Sequence, residues 1–413
     1  MSGVRRHLPC WACWFLILVL WFPMVFAAEY QISPQARVMT RLDDNIRGAS
    51  FSPETAWGFD SGGSLNLRAR TETTSTELTP RVNFRRFVIG ENLDADEYSV
   101  GLNNKWTNEL FTTGLEFSYG RDSTLATTEA ADTGLRNDVV NRDSITVRPS
   151  LSYALTDRLS GNVSFLYNDV NYLDASSSGL IDYEYIQGMI GLQHSWTDFV
   201  QLFGNFYVNH FDAASIKSAT RTYGGQAGVI WQWDETLNLT AQVGWEARTT
   251  SFTSLVPFPP AAPVFLNEVE EQVGTAGAVA GATIQKQFER TASKLEYVRS
   301  ISPSGRGAQS SSDRIALNVT HQLSEHLALV FDGLYETRTA QAESISAPGF
   351  SADLNRDYTE VRGAVRYRIS RDWAATGAYR FGHRKATSET NSDVAETNAV
   401  FFTIDYTHAP ITY

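Results

Sequence analysis

Apolar and polar residues alternate along most of the chain, and a period of two marks a strand whose two faces meet different surroundings. Between Ser144 and Leu155 one set is Ile145, Val147, Leu151, Tyr153 and Leu155 and the other is Ser144, Thr146, Arg148, Ser150 and Ser152, with Pro149 out of pattern. Leu159, Gly161, Val163, Phe165 and Tyr167 stand against Ser160, Asn162, Ser164 and Asn168 in the next segment. Val200, Leu202, Phe206 and Val208 alternate with Gln201, Asn205 and Asn209, and Leu237, Leu239, Ala241, Val243 and Trp245 with Asn238, Thr240, Gln242 and Glu246.

A short polar motif recurs between paired segments and predicts hairpin turns. Its copies are Trp106-Thr107-Asn108-Glu109-Leu110, Leu155-Thr156-Asp157-Arg158-Leu159, Trp196-Thr197-Asp198-Phe199, Trp233-Asp234-Glu235-Thr236-Leu237, Leu323-Ser324-Glu325-His326-Leu327 and Ile369-Ser370-Arg371-Asp372-Trp373. Longer Ser, Thr, Ala, Asp, Gly and Pro-rich stretches alternate with them, at 120–141, 172–181, 212–218, 251–269, 301–308, 341–355 and 387–394. These read as exposed loops.

Short connections on one side and long ones on the other predict an all-β fold: a transmembrane, antiparallel outer-membrane β-barrel. Lipid offers no partner to backbone N–H and C=O groups, so a sheet crosses it only when closed. About eighteen strands follow Pro34, the weakest near 61–71 and 270–300, with sixteen as the alternative because the Gly and Ala-rich run Gly274 to Gly281 alternates poorly. Trp106, Trp196, Trp233 and Trp373 beside the turns predict an aromatic girdle at the periplasmic interface. The competing soluble β-sandwich or propeller would bury the same apolar face in a shared core.

Composition sharpens this picture. Aromatic residues make up 12% of the chain and charged residues only 19%, with 4 Met, which disfavours a helical bundle or an α/β enzyme. Residues 1–27 read as a signal peptide: Arg5 and Arg6 precede the apolar run Trp11–Trp21, and Val25-Phe26-Ala27 fits a cleavage site. Removing 27 of 413 residues, with two arginines and both cysteines, leaves 386 residues at net charge −14 rather than −12. No disulfide scaffold or thiolate site remains in 28–413, a single barrel domain, and the acidic balance argues against nucleic acid.

On the polar face, where a lumen would lie, arginines collect near both ends of the chain: Arg37, Arg41, Arg68, Arg70, Arg81 and Arg85, then Arg362, Arg366, Arg368, Arg380 and Arg384. Barrel closure predicts that they share one wall. The acidic candidates Glu116, Glu246, Glu296, Asp332 and Glu336 lie on the remaining strands, accompanied by Arg248 and Arg338. A basic wall facing a partly acidic one would orient polar solutes and favour anions. The alternative is that the arginines are paired structural filling.

Catalytic arrangements are poor. The histidines His194, His210, His321, His326, His383 and His408 show no metal-ligand spacing, Ser304 lacks a nucleophile elbow, and Gly274, Gly277 and Gly281 lie in no strand-to-helix context. The expectation is no enzyme, no cofactor and no metal. Asp43-Asp44-Asn45 offers calcium-type oxygens but fits a strand-end turn better.

Ser33-Pro34, the strand ending Arg41-Leu42-Asp43-Asp44-Asn45-Ile46, and Trp57 ahead of a second strand resemble the start of the beta-barrel porin-2 family over residues 32 to about 60. The resemblance implies a porin-like channel with relatives in exopolysaccharide and exosortase-type gene clusters. The resemblance adds polysaccharide as an expected partner beside the outer-membrane lipid, barrel-insertion machinery and small polar solutes of the barrel reading, in which an even strand number returns both termini to the periplasm. At the C-terminus, Tyr406 is the expected end of the last strand, ahead of Pro410 and Tyr413. A structural or adhesive barrel with a closed lumen, acting through loops such as Val256–Phe265, is the second functional reading. An outer-membrane hydrolase is the third.

Overall fold

The computed structural model describes residues 29–124, 140–173, 180–258, 265–303, 309–340, 355–387 and 392–413. The predicted signal peptide lies outside them, as do 125–139, 174–179, 259–264, 304–308, with Ser304, 341–354 and 388–391 of the predicted loops. The strands are β1 (Glu29–Asp43), β2 (Ala56–Arg70), β3 (Thr74–Ile89), β4 (Ala95–Thr107), β5 (Phe111–Ser123), β6 (Asn141–Ala154), β7 (Leu159–Leu173), β8 (Tyr183–Ser195) and β9 (Val200–Ala213). There follow β10 (Ser218–Gln232), β11 (Leu237–Phe258), β12 (Phe265–Gln287), β13 (Thr291–Pro303), β14 (Gln309–Gln322), β15 (Leu327–Ala340), β16 (Asn355–Arg368), β17 (Trp373–Thr387) and β18 (Ser392–Thr407), with a two-residue β19 (Ile411–Thr412).

Every consecutive pair is antiparallel, and β1 also pairs with β18 from Gln35↔Thr407 to Asp43↔Ala399, which closes the sheet. The chain is therefore a closed 18-stranded antiparallel β-barrel. The weakly alternating stretches at 61–71 and 270–300 are strands, so the sixteen-strand alternative falls. Followed once around the barrel, the register returns to β1 about 22 residues from its start, a stagger that for 18 strands tilts them by roughly 40° and leaves a wide interior.

The apolar set faces outward. Leu151, Tyr153, Val163, Phe165, Ile190, Leu192, Val243 and Trp245 are all exposed, Val243 at 70%. Small and polar residues of the opposite parity are buried: on β17, Ala374, Ala378, Arg384 and Ala386 are buried while Trp373 and Tyr379 are not. A sandwich or propeller would show the reverse, because its core takes the large apolar side chains. The outer face is one that hydrocarbon, not water, suits.

The turn motif has one physical basis. In Leu155–Leu159 the Thr156 hydroxyl accepts hydrogen bonds from the N–H groups of Arg158 and Leu159, at 3.3 and 3.0 Å. Thr197, Asp234, Ser324, Ser370 and Asn108 cap their turns in the same way, and Thr71 adds a further copy between β2 and β3 that the motif reading missed. Such a side-chain oxygen two or three residues ahead of the N–H it receives fixes a tight reversal. Asp234 also receives Lys286 Nζ at 3.2 Å. Hydrogen bonds from Thr236, both side-chain and backbone, lead the causes that hold its carboxyl down at about 2.

All four predicted girdle tryptophans lie at this short-turn end and are exposed. Trp106 packs edge-on against Phe111, Trp233 lies 4.4 Å from Trp231 between ring centroids, and Trp373 lies 4.8 Å from Tyr406. The end of the chain departs from expectation. Past Thr407 the ladder with β1 breaks by one extra residue around Pro410, which has no N–H to give, and then resumes at Gln31↔Thr412. Tyr413 exchanges backbone hydrogen bonds with Tyr30 at 3.0 and 3.3 Å, so pairing continues beyond Tyr406 to the last residue.

Two predicted loops are also shorter than expected. Between Asp212 and Ser218 only a single 3-10 turn, Ala214–Ile216, intervenes. Residues 251–258 and 265–269 are strand, because β11 and β12 keep pairing to Phe258↔Phe265 after β10 has ended at Ala219↔Ser251. At the same end the β1–β2 and β3–β4 connections pack together through Ile46, Ala56, Leu93 and Phe87. Arg47 binds Glu54 at 2.5 Å and the Glu91 carbonyl at 2.8 Å. Partial burial would raise the Glu54 carboxyl, but Arg47 and the Glu91 N–H outweigh it and hold it below the ordinary value.

Candidate functional site

By strand parity all eleven arginines point to the interior, and the closure order β16–β17–β18–β1–β2–β3 puts them on adjacent strands. Their surroundings divide them in two. Towards the long connections, Arg41, Arg85 and Arg384 are buried and carboxylates neutralise them. Arg85 lies between Asp60 at 3.1 Å and Glu97 at 3.2 Å, and Arg384 meets Asp393 at 3.1 Å. Asp43 receives Arg380 at 2.9 Å and Arg41 at 3.4 Å. Both guanidinium groups lie over the ring of Phe401, their central carbons 5.4 and 5.6 Å from its centroid.

Register explains that cluster. Asp43 and Arg380 are both cross-strand partners of Ala399 on β18, one from each side, and the methyl of Ala399 leaves room for them to meet above it. The Asp43-Asp44-Asn45 oxygens are all engaged in the seam. Asp43 accepts from the Asn45 N–H, Asp44 takes the backbone and side-chain N–H groups of Asn398, and Asn45 donates to the carbonyls of Ala49 and Glu396. The triplet is thus a strand-end fastening of β1 to β18.

Towards the short turns the wall is more open. Arg37 pairs with Asp405 at 2.6 Å, Arg68 with Glu77 at 2.9 Å, and Arg362 with Asp332 at 3.7 Å. Arg70, Arg81, Arg366 and Arg368 are exposed and have no carboxylate within 4.0 Å among the described residues. The seam strand β18 contributes no arginine but supplies Asp393 and Asp405.

The predicted opposition of a basic and an acidic wall is corrected by this arrangement. Each acidic candidate has a cation beside it: Glu116 with Arg148 at 3.2 Å, Glu296 with Lys294 at 2.5 Å, Glu336 with Arg338 at 2.8 Å, and Asp332 with Arg362. Glu246 lies 3.8 Å from Arg248, both buried. The arginine wall carries its own carboxylates in turn, so local pairs replace a field across the barrel, and the arginines of this wall without a carboxylate neighbour among the described residues are Arg70, Arg81, Arg366 and Arg368. The partners Asp43, Asp60, Glu77, Glu97 and Asp405, and the interior ring of Phe401, were missed by sequence reasoning. Their parity with the neighbouring arginines was the signal that identified them as interior.

No protein-family model matches the chain, and no curated protein matches it. Among solved structures it is similar to Acinetobacter baumannii OccAB3, with TM-score 0.46 and 10% identity over 93% of this chain and 99% of that one. It is similar also to Pseudomonas aeruginosa OccK2 (OpdF), with TM-score 0.46 and 9% identity over 93% and 98%. A third is the ferric-catecholate import receptor Fiu of E. coli K12 in its open form, with TM-score 0.44 and 9% identity over 91% and 81%. The barrel itself is established by its own closure register.

Proposed function

We propose that the chain is an outer-membrane channel of porin type, with both termini periplasmic, that passes polar solutes and favours anions. The observation that carries this reading is the set of exposed arginines without carboxylate partners among the described residues, Arg70, Arg81, Arg366 and Arg368, on the inner wall of an 18-stranded barrel. A barrel of this strand number has room for water along its axis, and guanidinium groups facing that water raise the local concentration of anions. The exposed apolar exterior and the tryptophan girdle support placement in a bilayer, with short turns on the periplasmic side. The likeness of residues 32–60 to the beta-barrel porin-2 family extends the proposal to polysaccharide passage, an anionic exopolysaccharide being one solute such a wall suits.

Burial in the long-connection half favours a second reading, a structural barrel with a closed lumen. Phe211, Asp43, Arg85 and Arg384 show almost no surface there, although their strand parity points them inward. Current recorded from purified protein in a planar bilayer decides between the two. Stepwise conductance with a reversal potential on the anion-selective side under a KCl gradient is expected. Membranes that take up the folded barrel and carry no current, or a cation-selective current, would overturn the channel reading.

A further inference from the structure

On the inner wall opposite the closure seam, β9, β10, β11 and β12 place two adjacent rows of side chains. One register row runs Asn209, Thr222, Arg248, and the next runs Tyr207, Gly224, Glu246, Gly277. Tyr207 crosses β10 to donate its hydroxyl to Glu246 Oε2 at 2.9 Å. It can do so because position 224 is glycine: a Cβ there would lie 2.2 Å from the tyrosine ring. Gly277, the next position in that row, carries no such requirement, since a Cβ there would lie at an ordinary contact distance, 3.7 Å, from Arg248 Nη2. Gly224 is thus the position whose missing side chain shapes the cradle.

What the cradle holds is unsatisfied. Arg248 is 4% exposed, and its Nε, Nη1 and Nη2 have no hydrogen-bond acceptor among the described residues. Glu246, also 4% exposed, leaves Oε1 without a donor, and Asn209 Oδ1 and Thr222 Oγ1 are likewise unpartnered. Buried polar groups left this way are costly, and each asks for a partner. The unmet set mixes donors and acceptors and is neutral in sum, since Arg248 and Glu246 cancel. A bare anion would satisfy the guanidinium but face the Glu246 carboxylate 3.8 Å away, and a bare cation would meet the reverse conflict. A hydroxyl both donates and accepts, so adjacent hydroxyls match a guanidinium and a carboxylate side by side.

From this the geometry points to a binding site for a neutral, hydroxyl-rich solute, a saccharide, at Arg248 and Glu246. Its hydroxyl oxygens accept from Arg248 and its O–H groups donate to Glu246 Oε1, with Asn209 and Thr222 extending the contact across neighbouring strands about 4.8 Å apart. The inference rests on the reading of the lumen as a passage for polar solutes and names a class of solute that passage retains.

Calorimetric titration of the purified full-length barrel in detergent, with maltotriose, cellotriose and mannotriose as neutral probes and trigalacturonate as the anionic one, tests it. Saturable binding of at least one neutral trisaccharide is expected, about tenfold weaker in the Glu246→Gln/Arg248→Met double variant. Thr222→Val, which keeps side-chain volume, should weaken the same binding and serves if the double variant does not fold. Absence of neutral trisaccharide binding, binding indifferent to these substitutions, or Arg248-dependent binding of trigalacturonate alone would overturn the proposal. Failure of the channel reading has a different signature: no current in the bilayer while trisaccharide binding persists.

Discussion

Asp43 and Arg380, 337 residues apart in sequence, meet at 2.9 Å across Ala399 and join the first strand to the penultimate long one over the strand between them. Asp43 has no exposed surface and is the carboxylate shared by two guanidinium groups. Removing it would take from Arg41 and Arg380 the carboxylate they share over Phe401. Asp43→Ala is therefore expected to destabilise the barrel by about 3–5 kcal/mol, read from urea unfolding of the refolded protein in lipid vesicles. A loss below about 1 kcal/mol, the range of exposed ion pairs, would show that the seam does not depend on this pair.

The two faces of a strand predict unequal tolerance. Val163 is half exposed on the outer face, and Ser164 next to it faces the interior. Val163→Arg is expected to cost ~2–4 kcal/mol near the bilayer midplane, and Ser164→Arg to be tolerated. Equal costs in the same unfolding measurement would refute the assignment of lipid and lumen faces.

Much of this was legible in the sequence, for a definite reason. A barrel strand repeats every two residues, so the chemistry of Leu151, Tyr153 and Val163 against Ser150, Ser152 and Ser164 is written in the alternation itself. The turn caps Thr156, Thr197, Ser324 and Ser370 are equally local. Pairing inside the lumen is not local: Asp43 finds Arg380, and Arg37 finds Asp405, only through a register fixed by closure. The same holds for β12, whose Gly and Ala-rich stretch alternates poorly because its small residues lie beside Arg248 and Gln242 of the neighbouring β11 and not because it is a loop.

Topology yields a further test. The β3–β4 connection, where Asn92 adopts a left-handed φ of 55°, lies at the end opposite Glu29 and Tyr413, and the turn at Asn108 lies at their own end. A short epitope inserted after Asn92 is expected to be labelled on intact cells, and one after Glu109 only once the outer membrane is opened. The opposite pattern would invert the proposed orientation.

The turn carboxylate Asp234 supplies a pH test with a definite sign. Its folded value, about 2, lies below the ordinary 3.8, with hydrogen bonds from Thr236 as the leading cause. The turn's contribution is therefore fully present above the unfolded value and is lost as pH falls from about 4 through about 2. Carbon-detected NMR of aspartate-labelled protein in micelles should show the Asp234 carboxyl titrating near 2, and Asp234→Ala should remove that resonance. A midpoint at or above 3.8 would show that the cap does not form in solution.

Arg366 and Arg380 lie on neighbouring strands of one wall, yet they should behave oppositely. Arg380 is bound to Asp43 and stacked on Phe401, so its charge is compensated and its position structural. Arg366 is exposed, with Thr376 and Ala328 as its cross-strand neighbours, and no carboxylate within 4.0 Å among the described residues. Arg366→Gln, alone or with Arg81→Gln, is expected to move the reversal potential towards cations and leave unfolding unchanged, because these charges act on ions in water and hold nothing together. The shift should shrink as salt rises and the screening length falls below its ~8 Å value at physiological ionic strength. Arg380→Gln should instead lower the unfolding midpoint by leaving Asp43 with Arg41 alone, and change selectivity less. If Arg366→Gln leaves the current unaltered, or if Arg380→Gln moves selectivity more than it moves stability, the division of this wall into a fastened half and a solvent-facing half is wrong.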